Sequence, residues 1–254
     1  YWLVPKGPLG NASPEFVRTT LVKELGDGVD YIRTECVDQL PRTIEAKEMH
    51  PQTTRLIDLT KGYDQVFEEF NPKVRYNIRL GRKKGVKVQF VGLDRFDDFV
   101  TLMKQTSERD EFSLHEMSYY QSMLKYLVGA PECSIKFALA TKDDIPLATT
   151  ISIDSFGVRT YLHGASGNQM RELKAPQVLQ DFVIHDACDA GMGIYDFWGI
   201  APPGASEKHP WYGITRFKEG FRGYVYGTAG TFDIPLNHTK YGLYRTARLV
   251  RSII

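Results

Sequence analysis

The fold is decided by residues 71–90, which have the sequence NPKVRYNIRLGRKKGVKVQF. Asn71 can accept a hydrogen bond from the first amide groups of a helix, and Pro72 suits the first helical position, where its missing N–H would be unpaired anyway. Gly85 readily takes the left-handed conformation that ends a helix. In 86–90 apolar residues alternate with polar ones, which is typical of a strand. The segment therefore predicts a helix over 71–85 that passes directly into a strand.

The same combination of helical and strand patterns extends over the rest of the chain. Short apolar or alternating runs predict strands at Val4, Tyr31–Ile32, Leu56–Ile57, Ile135–Leu139, Ile151–Ile153, Thr160–Leu162 and Ile194–Phe197. Apolar residues at helical spacing predict helices over Pro14–Leu25, Phe96–Ser107, Glu116–Leu127, Ala175–Ala190 and His238–Arg251. This alternation favours an α/β or α+β sheet protein over a helical bundle or a β-sandwich.

Composition limits the class of protein. The chain has 254 residues, 42% hydrophobic and 25% charged, which suits one large or two ordinary globular domains rather than a disordered chain. No apolar run approaches the ~20 residues of a membrane span, and the first residues lack the pattern of a secretory signal. Cys36, Cys133 and Cys188 show no CxxC spacing, which favours a reducing compartment over a disulfide framework or a zinc site. We therefore expect a soluble, cytoplasmic protein.

Positive charge is concentrated in two segments, although the net charge is only +1. Residues 71–93 include seven basic residues and no acid, and the last fifteen residues add Lys240, Arg245, Arg248 and Arg251, again without an acid. On the predicted helix, a spacing of three or four places on one side Arg75, Arg79, Arg82 and Lys83. This basic stripe is either a solvated helix face or a docking surface for a polyanion, and like charges without a compensating acid favour the polyanion.

Several kinds of chemistry lack their motifs. There is no Walker-type phosphate loop, and Gly191-Met192-Gly193 lacks the third glycine of a dinucleotide fingerprint. In the segment that begins at Gly164, Asn168 stands where the GxSxG motif of serine hydrolases requires glycine. His185, Cys188 and Asp189 share a predicted helical face, but neither HxxxH nor a paired CxxC accompanies them, which favours a packed helix over a metal site.

Motifs spread over the chain occur in the order of one known family. They are Pro5-Lys6-Gly7-Pro8, Tyr76-Asn77-Ile78-Arg79, Lys83-Lys84-Gly85-Val86, Glu108-Arg109-Asp110-Glu111-Phe112, Tyr195-Asp196-Phe197-Trp198-Gly199-Ile200 and Phe217-Lys218-Glu219-Gly220-Phe221. With these motifs the chain resembles the FemABX family of aminoacyl-tRNA-dependent transferases, which build the interpeptide bridges of peptidoglycan. Since no heptad run interrupts the second half, it is similar to the arm-less subgroup.

The resemblance implies an α/β (α+β) fold with two GNAT-like acyltransferase domains. The first would comprise residues 1–54 and 230–254, and the second residues 55–229. Family members carry a longer segment before the motif at Pro5, so the first domain is expected to be shortened at its start. Acetyltransferases on this fold hold CoA with a glycine-rich turn, whereas Arg171–Pro176 at the corresponding place has no glycine and ends in a proline. This argues against CoA as the acyl donor.

The implied reaction is attack of a peptide amine on the ester carbon of an aminoacyl-tRNA. No nucleotide need be hydrolysed, because an ester converts to an amide downhill, and the resemblance implies neither a cofactor nor a metal. Lys218 matches the family position that stabilises the oxyanion, Phe217 can stack on the terminal adenosine, and Glu35 lies near a family carboxylate position. A surface lysine beside a core phenylalanine is the alternative interpretation of the first two. Binding of tRNA is expected at Arg75, Arg79, Arg82, Lys83 and Lys84.

The implied acceptor is a UDP-linked or lipid-linked muramyl pentapeptide, and the lipid-linked form implies peripheral contact with a membrane. The residues that match precursor-binding positions are Lys6, Ser113, His115, Tyr119, Tyr161 and His163. His115 stands where some relatives have an arginine, and His163 where a relative has a tyrosine. A purely structural role is the alternative for each. Asp110 and Asp196 also belong to family motifs, and we expect them to hold loops.

Two other functions stay open from the sequence. One is an N-acyltransferase that uses a different acyl donor, and the other is a catalytically inactive module that binds muropeptide or RNA. Incubation of labelled aminoacyl-tRNA with precursor separates aminoacyl transfer from both.

Overall fold

A computed structural model describes residues 1–4, 12–36, 38–127, 130 and 133–251 of the chain. Its strands are β1 (Trp2–Val4), β2 (Tyr31–Thr34), β3 (Ile44–Glu45), β4 (Thr53–Asp58), β5 (Lys87–Phe90), β6 (Ser134–Lys142), β7 (Ile145–Ser155), β8 (Val158–Ser166), β9 (Ile194–Gly199), β10 (Tyr224–Gly227) and β11 (Phe232–Pro235). Its α-helices are α1 (Pro14–Leu25), α2 (Tyr63–Glu69), α3 (Pro72–Lys83), α4 (Phe96–Asp110), α5 (Met117–Tyr126), α6 (Ala175–Asp189), α7 (Tyr212–Glu219) and α8 (His238–Arg251). Two sheets surrounded by helices confirm the predicted mixed α/β class.

The described residues group into two compact units. The first comprises Tyr1–Thr54, Pro202–Gly204 and Tyr226–Ile254, and the second comprises Arg55–Ala201 and Ala205–Val225. The assignment of 1–54 with 230–254, and of 55–229, to two GNAT-like domains stays a prediction. Among the described helices, none is long and apolar enough to cross a lipid bilayer.

The first unit contains a sheet of strand order β1-β2-β11-β3, in which β1 runs parallel to β2 and β11 runs antiparallel to both β2 and β3. Its core contains Ile32 and Ile234, against which apolar side chains of α1 pack. Buried Arg33 donates to both carboxylate oxygens of Asp233, at 2.7 and 2.8 Å, and the Tyr241 hydroxyl donates to Asp233 at 2.8 Å. These bonds fasten β2, β11 and α8 together.

The second sheet has the order β10-β4-β9-β8-β7-β6-β5. A large core cluster packs α3 and α6 against it and includes Ile78 and Val183. A separate cluster contains Phe99 of α4, Tyr120 of α5 and Ile151 of β7. The sheet is therefore covered by two sets of helices, α3 with α6 and α4 with α5.

Helix α3 begins and ends as its sequence predicts. The Asn71 side chain accepts from the Lys73 N–H at 3.0 Å, Pro72 occupies the first turn, and Gly85 has a φ of +87°. Gly81 allows α3 to approach α6 closely, since a Cβ there would lie 2.5 Å from Val178 Cγ2 and 2.6 Å from the Leu173 carbonyl oxygen.

Several short elements are missing from the sequence-based prediction, namely α2, α7, β3, β10 and β11. Each has at most eight residues, which is too short to display a helical or alternating period clearly. One of them, α7, carries Lys218.

Candidate active site

Two parallel strands separate in the middle of the second sheet. The ladder between β8 and β9 joins Val158–Thr160 to Ile194–Asp196. Within these described strands the pairing stops at Asp196, although β8 continues to Ser166 and β9 to Gly199. Beyond that point the β8–β9 ladder has ended, which allows other groups to approach the sheet between these two strands.

Lys218 lies at this opening. Its side chain comes from α7, is 5% exposed, and donates from Nζ to the Gly199 carbonyl at 2.6 Å. The same Nζ lies 5.7 Å from the centre of the Tyr161 ring, a distance at which a cation is attracted to the ring face. Burial lowers the pKa of Lys218 to about 8, although the negative charge of Asp196 opposes this effect. The site thus holds a desolvated lysine that is still largely charged at pH 7.

Tyr161 and His163 lie two positions apart on β8, but a β-bulge separates them. Ser152 of β7 pairs with Tyr161 and the adjacent Ile151 pairs with His163, so Leu162 is the extra residue. Tyr161 consequently packs on the core of α3 and α6, whereas His163 approaches the aromatic rings of α5. Sequence alternation would place both side chains on one face, and the bulge is the physical reason that they divide.

The Tyr161 ring lies over Gly164 of its own strand. A Cβ at Gly164 would lie 1.9 Å from the Tyr161 hydroxyl oxygen, so this close approach requires glycine. Burial raises the pKa of the Tyr161 hydroxyl to about 12. Tyr161 is therefore a neutral ring beside Lys218.

His163 belongs to a cluster with two of the other predicted precursor-binding residues, His115 and Tyr119. Their ring centres lie 4.6 Å apart for His115 and Tyr119, 6.0 Å for Tyr119 and His163, and 6.4 Å for the two histidines. Tyr120, which the motifs did not indicate, packs edge-on against His163 at 5.0 Å. Burial, with a smaller effect of His115, lowers the pKa of His163 to about 4, so its imidazole is neutral at pH 7. His115 and Tyr119 are exposed, whereas His163 is half-buried.

The remaining predicted precursor-binding residues contribute less to this cluster. Ser113 is exposed in the loop before α5, and Lys6 lies outside the described residues. At the start of the loop that carries Ser113, both carboxylate oxygens of Asp110 accept from Arg109, at 2.9 and 3.0 Å, and the expectation that Asp110 holds this loop stays a prediction. Arg109 also donates to the Ser166 carbonyl at 2.8 Å, which joins this loop to the end of β8.

Phe217 packs against the core rather than standing free. It is half-buried, and its ring meets that of Phe221 edge-on at 5.4 Å. Stacking of Phe217 on adenosine stays a prediction, which requires the exposed part of the ring.

Glu35 belongs to the first unit and is buried against His50. His50 Nδ1 lies 2.9 Å from Glu35 Oε2, and the His50 backbone N–H donates to Oε1 at 3.1 Å. His50 is one-third exposed, whereas the Glu35 side chain is buried. The sequence gives no motif for His50, which lies fifteen positions after Glu35.

The expectation that the basic stripe lacks compensating acids is wrong in three dimensions. Arg75 forms an ion pair with Glu68 of α2 at 2.6 Å, and Arg82 pairs with buried Asp181 of α6. These carboxylates come from other elements, so an acid-free stretch of sequence does not become an acid-free surface. Arg79 is exposed, lies over the Phe67 ring and reaches Glu68 only at 3.8 Å, and Lys83 and Lys84 are exposed. The role of the stripe in tRNA binding stays a prediction.

In the part of the chain that the structure describes, no three His, Cys, Asp or Glu side chains gather as a metal ion would require. His185 instead stacks on Tyr63, with ring centres 3.7 Å apart. The turn before α6 contains Lys174 in a left-handed conformation and Pro176 in the first helical turn, where proline supplies no N–H to an anion. One N–H of the first turn is therefore missing, and the expectation that CoA is not the acyl donor stays a prediction.

Comparison with known proteins identifies the family. A model of the FemAB family matches residues 39–141 and 130–248. The chain belongs to the FemAB family. Membership confirms the family predicted from the motifs, most of which lie within the matched residues.

Relatives within the FemAB family include enzymes of staphylococci. The lipid II:glycine glycyltransferase of Staphylococcus haemolyticus is 24% identical over 77% of this chain and 61% of its own length. Aminoacyltransferase FemA of Staphylococcus epidermidis is 22% identical over 76% of this chain and 60% of its own length. The chain thus spans about three fifths of the length of these relatives.

Solved structures share the fold. The crystal structure of FemX superposes with a TM-score of 0.82 at 18% identity, covering 95% of this chain and 82% of that one. L-PGS from Bacillus licheniformis superposes with a TM-score of 0.57 at 11% identity, covering 99% of this chain and 82% of that one. At these identities the likeness concerns the fold alone, and the FemAB assignment rests on sequence.

Proposed function

We propose that this chain is an aminoacyltransferase that moves an amino acid from aminoacyl-tRNA to a peptide amine of a UDP-linked or lipid-linked muramyl pentapeptide. Membership of the FemAB family supports this proposal, together with relatives named lipid II:glycine glycyltransferase and aminoacyltransferase FemA. The observation that carries it is Lys218, a buried cation at the opening between β8 and β9. We also propose that the protein acts in the cytoplasm and builds interpeptide bridges. When the acceptor is lipid-linked, the protein would make peripheral contact with a membrane.

Lys218 suits acyl transfer from an ester. The acceptor nitrogen forms a bond to the ester carbonyl carbon, negative charge develops on the carbonyl oxygen, and the ester C–O bond then breaks. The proton that the amine loses ends on the ribose oxygen that leaves. A cation fixed in a desolvated place stabilises the developing oxyanion more than it would in water. Buried Lys218, held by the Gly199 carbonyl, meets this requirement.

The acceptor is proposed to lie along the cluster of His115, Tyr119 and His163. Its two exposed rings can pack on sugar and peptide, while the neutral His163 offers a hydrogen bond without a charge. Donor tRNA is proposed to use Arg79 and Lys83 of the basic stripe together with the adjacent Lys84, all three of which are exposed. We propose aminoacyl-tRNA as the donor because Pro176 and the glycine-free turn before α6 do not suit a CoA pyrophosphate.

Transfer with defined substrates tests the proposal. The protein is incubated with a mixture of charged tRNAs and either UDP-muramyl pentapeptide or its lipid-linked form in detergent micelles. The masses of the products are then measured by mass spectrometry. We expect the precursor to gain the mass of one aminoacyl residue, and Lys218→Met to abolish most of this gain. Free amino acids and acyl-CoA serve as control donors. Gain of mass from acyl-CoA alone would contradict the tRNA-dependent reaction, and precursor binding without any transfer would indicate an inactive module.

A further inference from the structure

The backbone that receives Lys218 is the last part of β9, in which the Asp196 side chain closes a local turn. Asp196 is the last β9 residue that pairs with β8, and its Oδ1 accepts a hydrogen bond from the Trp198 N–H at 2.7 Å. Gly199 follows, and its carbonyl accepts from Lys218 Nζ at 2.6 Å. A short turn therefore connects the Asp196 side chain to the carbonyl that holds the lysine.

This turn has an unfavourable backbone conformation. Trp198 has a φ of +61°, in the left-handed region that bulky residues rarely adopt. Such conformations persist where the surroundings impose them, and they are concentrated at functional sites. The bond from the Trp198 N–H to Asp196 is of the kind by which Asp side chains stabilise tight turns. It supplies one of the constraints that keep Trp198 left-handed.

The same segment also holds helix α7 at a second point. The Ala201 N–H donates to Thr215 Oγ1 at 2.8 Å, and this hydroxyl donates to the Trp211 carbonyl at 2.7 Å. Thr215 and Lys218 are three positions apart, so they lie on one side of α7. The direction of the Gly199 carbonyl and the position of α7 are therefore set by the same short stretch of backbone.

We propose that Asp196 is a positioning residue for Lys218, which acts through the left-handed turn at Trp198 and the carbonyl of Gly199. The kinetic part of this inference rests on the proposed aminoacyl transfer. Loss of the Asp196 bond allows the turn to relax, the Gly199 carbonyl to rotate, and Nζ to leave the place where the oxyanion forms. Asp196 itself does not contact the reacting atoms.

A double-mutant cycle tests the kinetic effect. Asp196→Ala should lower kcat ~30-fold and leave both KM values within ~2-fold, because misplaced catalytic groups reduce rate rather than capture. Asp196→Asn should stay within ~3-fold of the wild-type kcat, since its amide oxygen still accepts the N–H. Glycine needs no help at positive φ, so in the Trp198→Gly background Asp196→Ala should cost less than ~3-fold. Equal losses in both backgrounds would overturn the proposal.

A matched control comes from another strand end. Asp58 makes the same kind of hydrogen bond at the end of β4, where its Oδ1 accepts from the Thr60 N–H at 3.0 Å, but Thr60 is not left-handed. Asp58→Ala should leave kcat unchanged, whereas a loss equal to that of Asp196→Ala would indicate a general effect of such turns on stability. If Asp196→Ala does not fold, the double variant with Trp198→Gly carries the test, and its failure to fold as well would overturn the mechanism.

A measurement without turnover separates this inference from the proposed function. Lysine is labelled with ¹³C at Cε, and the Lys218 signal is assigned by its loss in Lys218→Met. At pH 6, where Lys218 is protonated in every variant, the signal should move in Asp196→Ala and stay in Asp196→Asn and Asp58→Ala. Movement in a protein that transfers no amino acid would refute only the proposed function. An unmoved signal in Asp196→Ala would refute positioning whether or not the protein is active.

Discussion

At the scale of a single residue, the buried charge of Lys218 lowers the free energy of unfolding. Its side chain is almost fully buried, and desolvation opposes its positive charge. A well-packed apolar residue in the same place would make the folded protein more stable. A buried lysine that is nevertheless present therefore indicates a functional requirement. Replacing Lys218 should therefore change both the reaction rate and the stability of the protein.

Replacement of Lys218 by methionine tests the oxyanion role directly. Methionine keeps the unbranched stem and removes the charge, so kcat and kcat/KM should fall together by roughly 100-fold, or ~2.7 kcal/mol, with precursor binding nearly intact. Single-turnover rates at saturating aminoacyl-tRNA measure this, since they report chemistry without donor capture. A wild-type single-turnover rate in Lys218→Met would remove Lys218 from the reaction, and recovery at high donor concentration would assign it to tRNA binding.

The same substitution should make the protein more stable at pH 7. Burial lowers the pKa of Lys218 from 10.5 to about 8, so below pH 8 the folded state carries the full cost of a desolvated charge. Methionine removes that cost and loses the bond to Gly199, and we expect a net gain of about 1–2 kcal/mol. Between pH 8 and 10.5 the unfolded wild type binds more protons than the folded one, so wild-type stability rises with pH and the gain fades. Denaturant melts at pH 7 and pH 10.5 compare the two proteins; a less stable Lys218→Met at pH 7 contradicts the argument.

At the scale of the element, α3 and α6 depend on a close approach at Gly81. Gly81→Ala places a Cβ 2.5 Å from Val178 Cγ2 and 2.6 Å from the Leu173 carbonyl oxygen. The carbonyl is part of the backbone, so it cannot avoid the Cβ by a change of rotamer. We expect a loss of about 1–3 kcal/mol, typical of overpacking. Gly213→Ala in α7 is the matched control, because a Cβ there meets nothing within 4 Å and alanine favours the helix. Denaturant melts of both variants provide the comparison, and equal stability would show that the helices simply move apart.

The exposed part of the basic stripe gives a prediction about tRNA. Arg79 and Lys83 stand free enough of carboxylates to meet phosphates, unlike Arg82 with its buried Asp181. Arg79→Glu/Lys83→Glu should weaken tRNA binding by at least ~10-fold and lower the slope of log Kd against log salt by about 1–2, since fewer counterions are released. The double reversal Lys104→Glu/Lys125→Glu, of two exposed lysines outside the stripe, should leave both quantities unchanged. Filter-binding titrations at several salt concentrations measure them, and an unaltered slope for the stripe variant would exclude this surface.

Long elements could be predicted from the sequence, and the contacts between elements could not. Helix α1 begins and ends at the predicted residues, and both ends of α3 lie within two residues of the predicted ones. Capping residues and helical period are local signals, which is why these limits could be predicted. The bulge at Leu162 has no such signal, and it is what divides Tyr161 from His163. Asp181 is likewise invisible as the partner of Arg82 until α6 packs on α3. For the same reason the motif around Lys218 could be recognised, whereas its contacts with Gly199 and Tyr161 required the structure.

At the scale of the whole molecule, the chemistry and the surface charge obey different constraints. The charge of the chain nearly cancels, and surface arginines such as Arg75 are neutralised by acids of neighbouring elements. Lys218 is different because burial excludes water and its Nζ donates to a neutral carbonyl, that of Gly199. In the proposed function, tRNA would therefore meet surface charges that salt screens, while the reacting carbonyl would meet a charge that salt screens much less.

The pH dependence of the proposed transfer follows from this difference in burial. The acceptor amine must lose its proton before it attacks, so the rate should rise with pH at first, and Lys218 must keep its proton to oppose the oxyanion, so the rate should fall again above about pH 8. Salt should hardly move the descending limb, because the lysine is buried. We expect single-turnover rates at saturating donor to give a bell-shaped profile in the wild type. In Lys218→Met the lower rate should keep rising through the same range, after subtraction of uncatalysed ester hydrolysis. A wild-type rate that rises through pH 8 and then stays level would mean that neutral Lys218 is the active form, and therefore that it accepts a proton rather than stabilising the oxyanion.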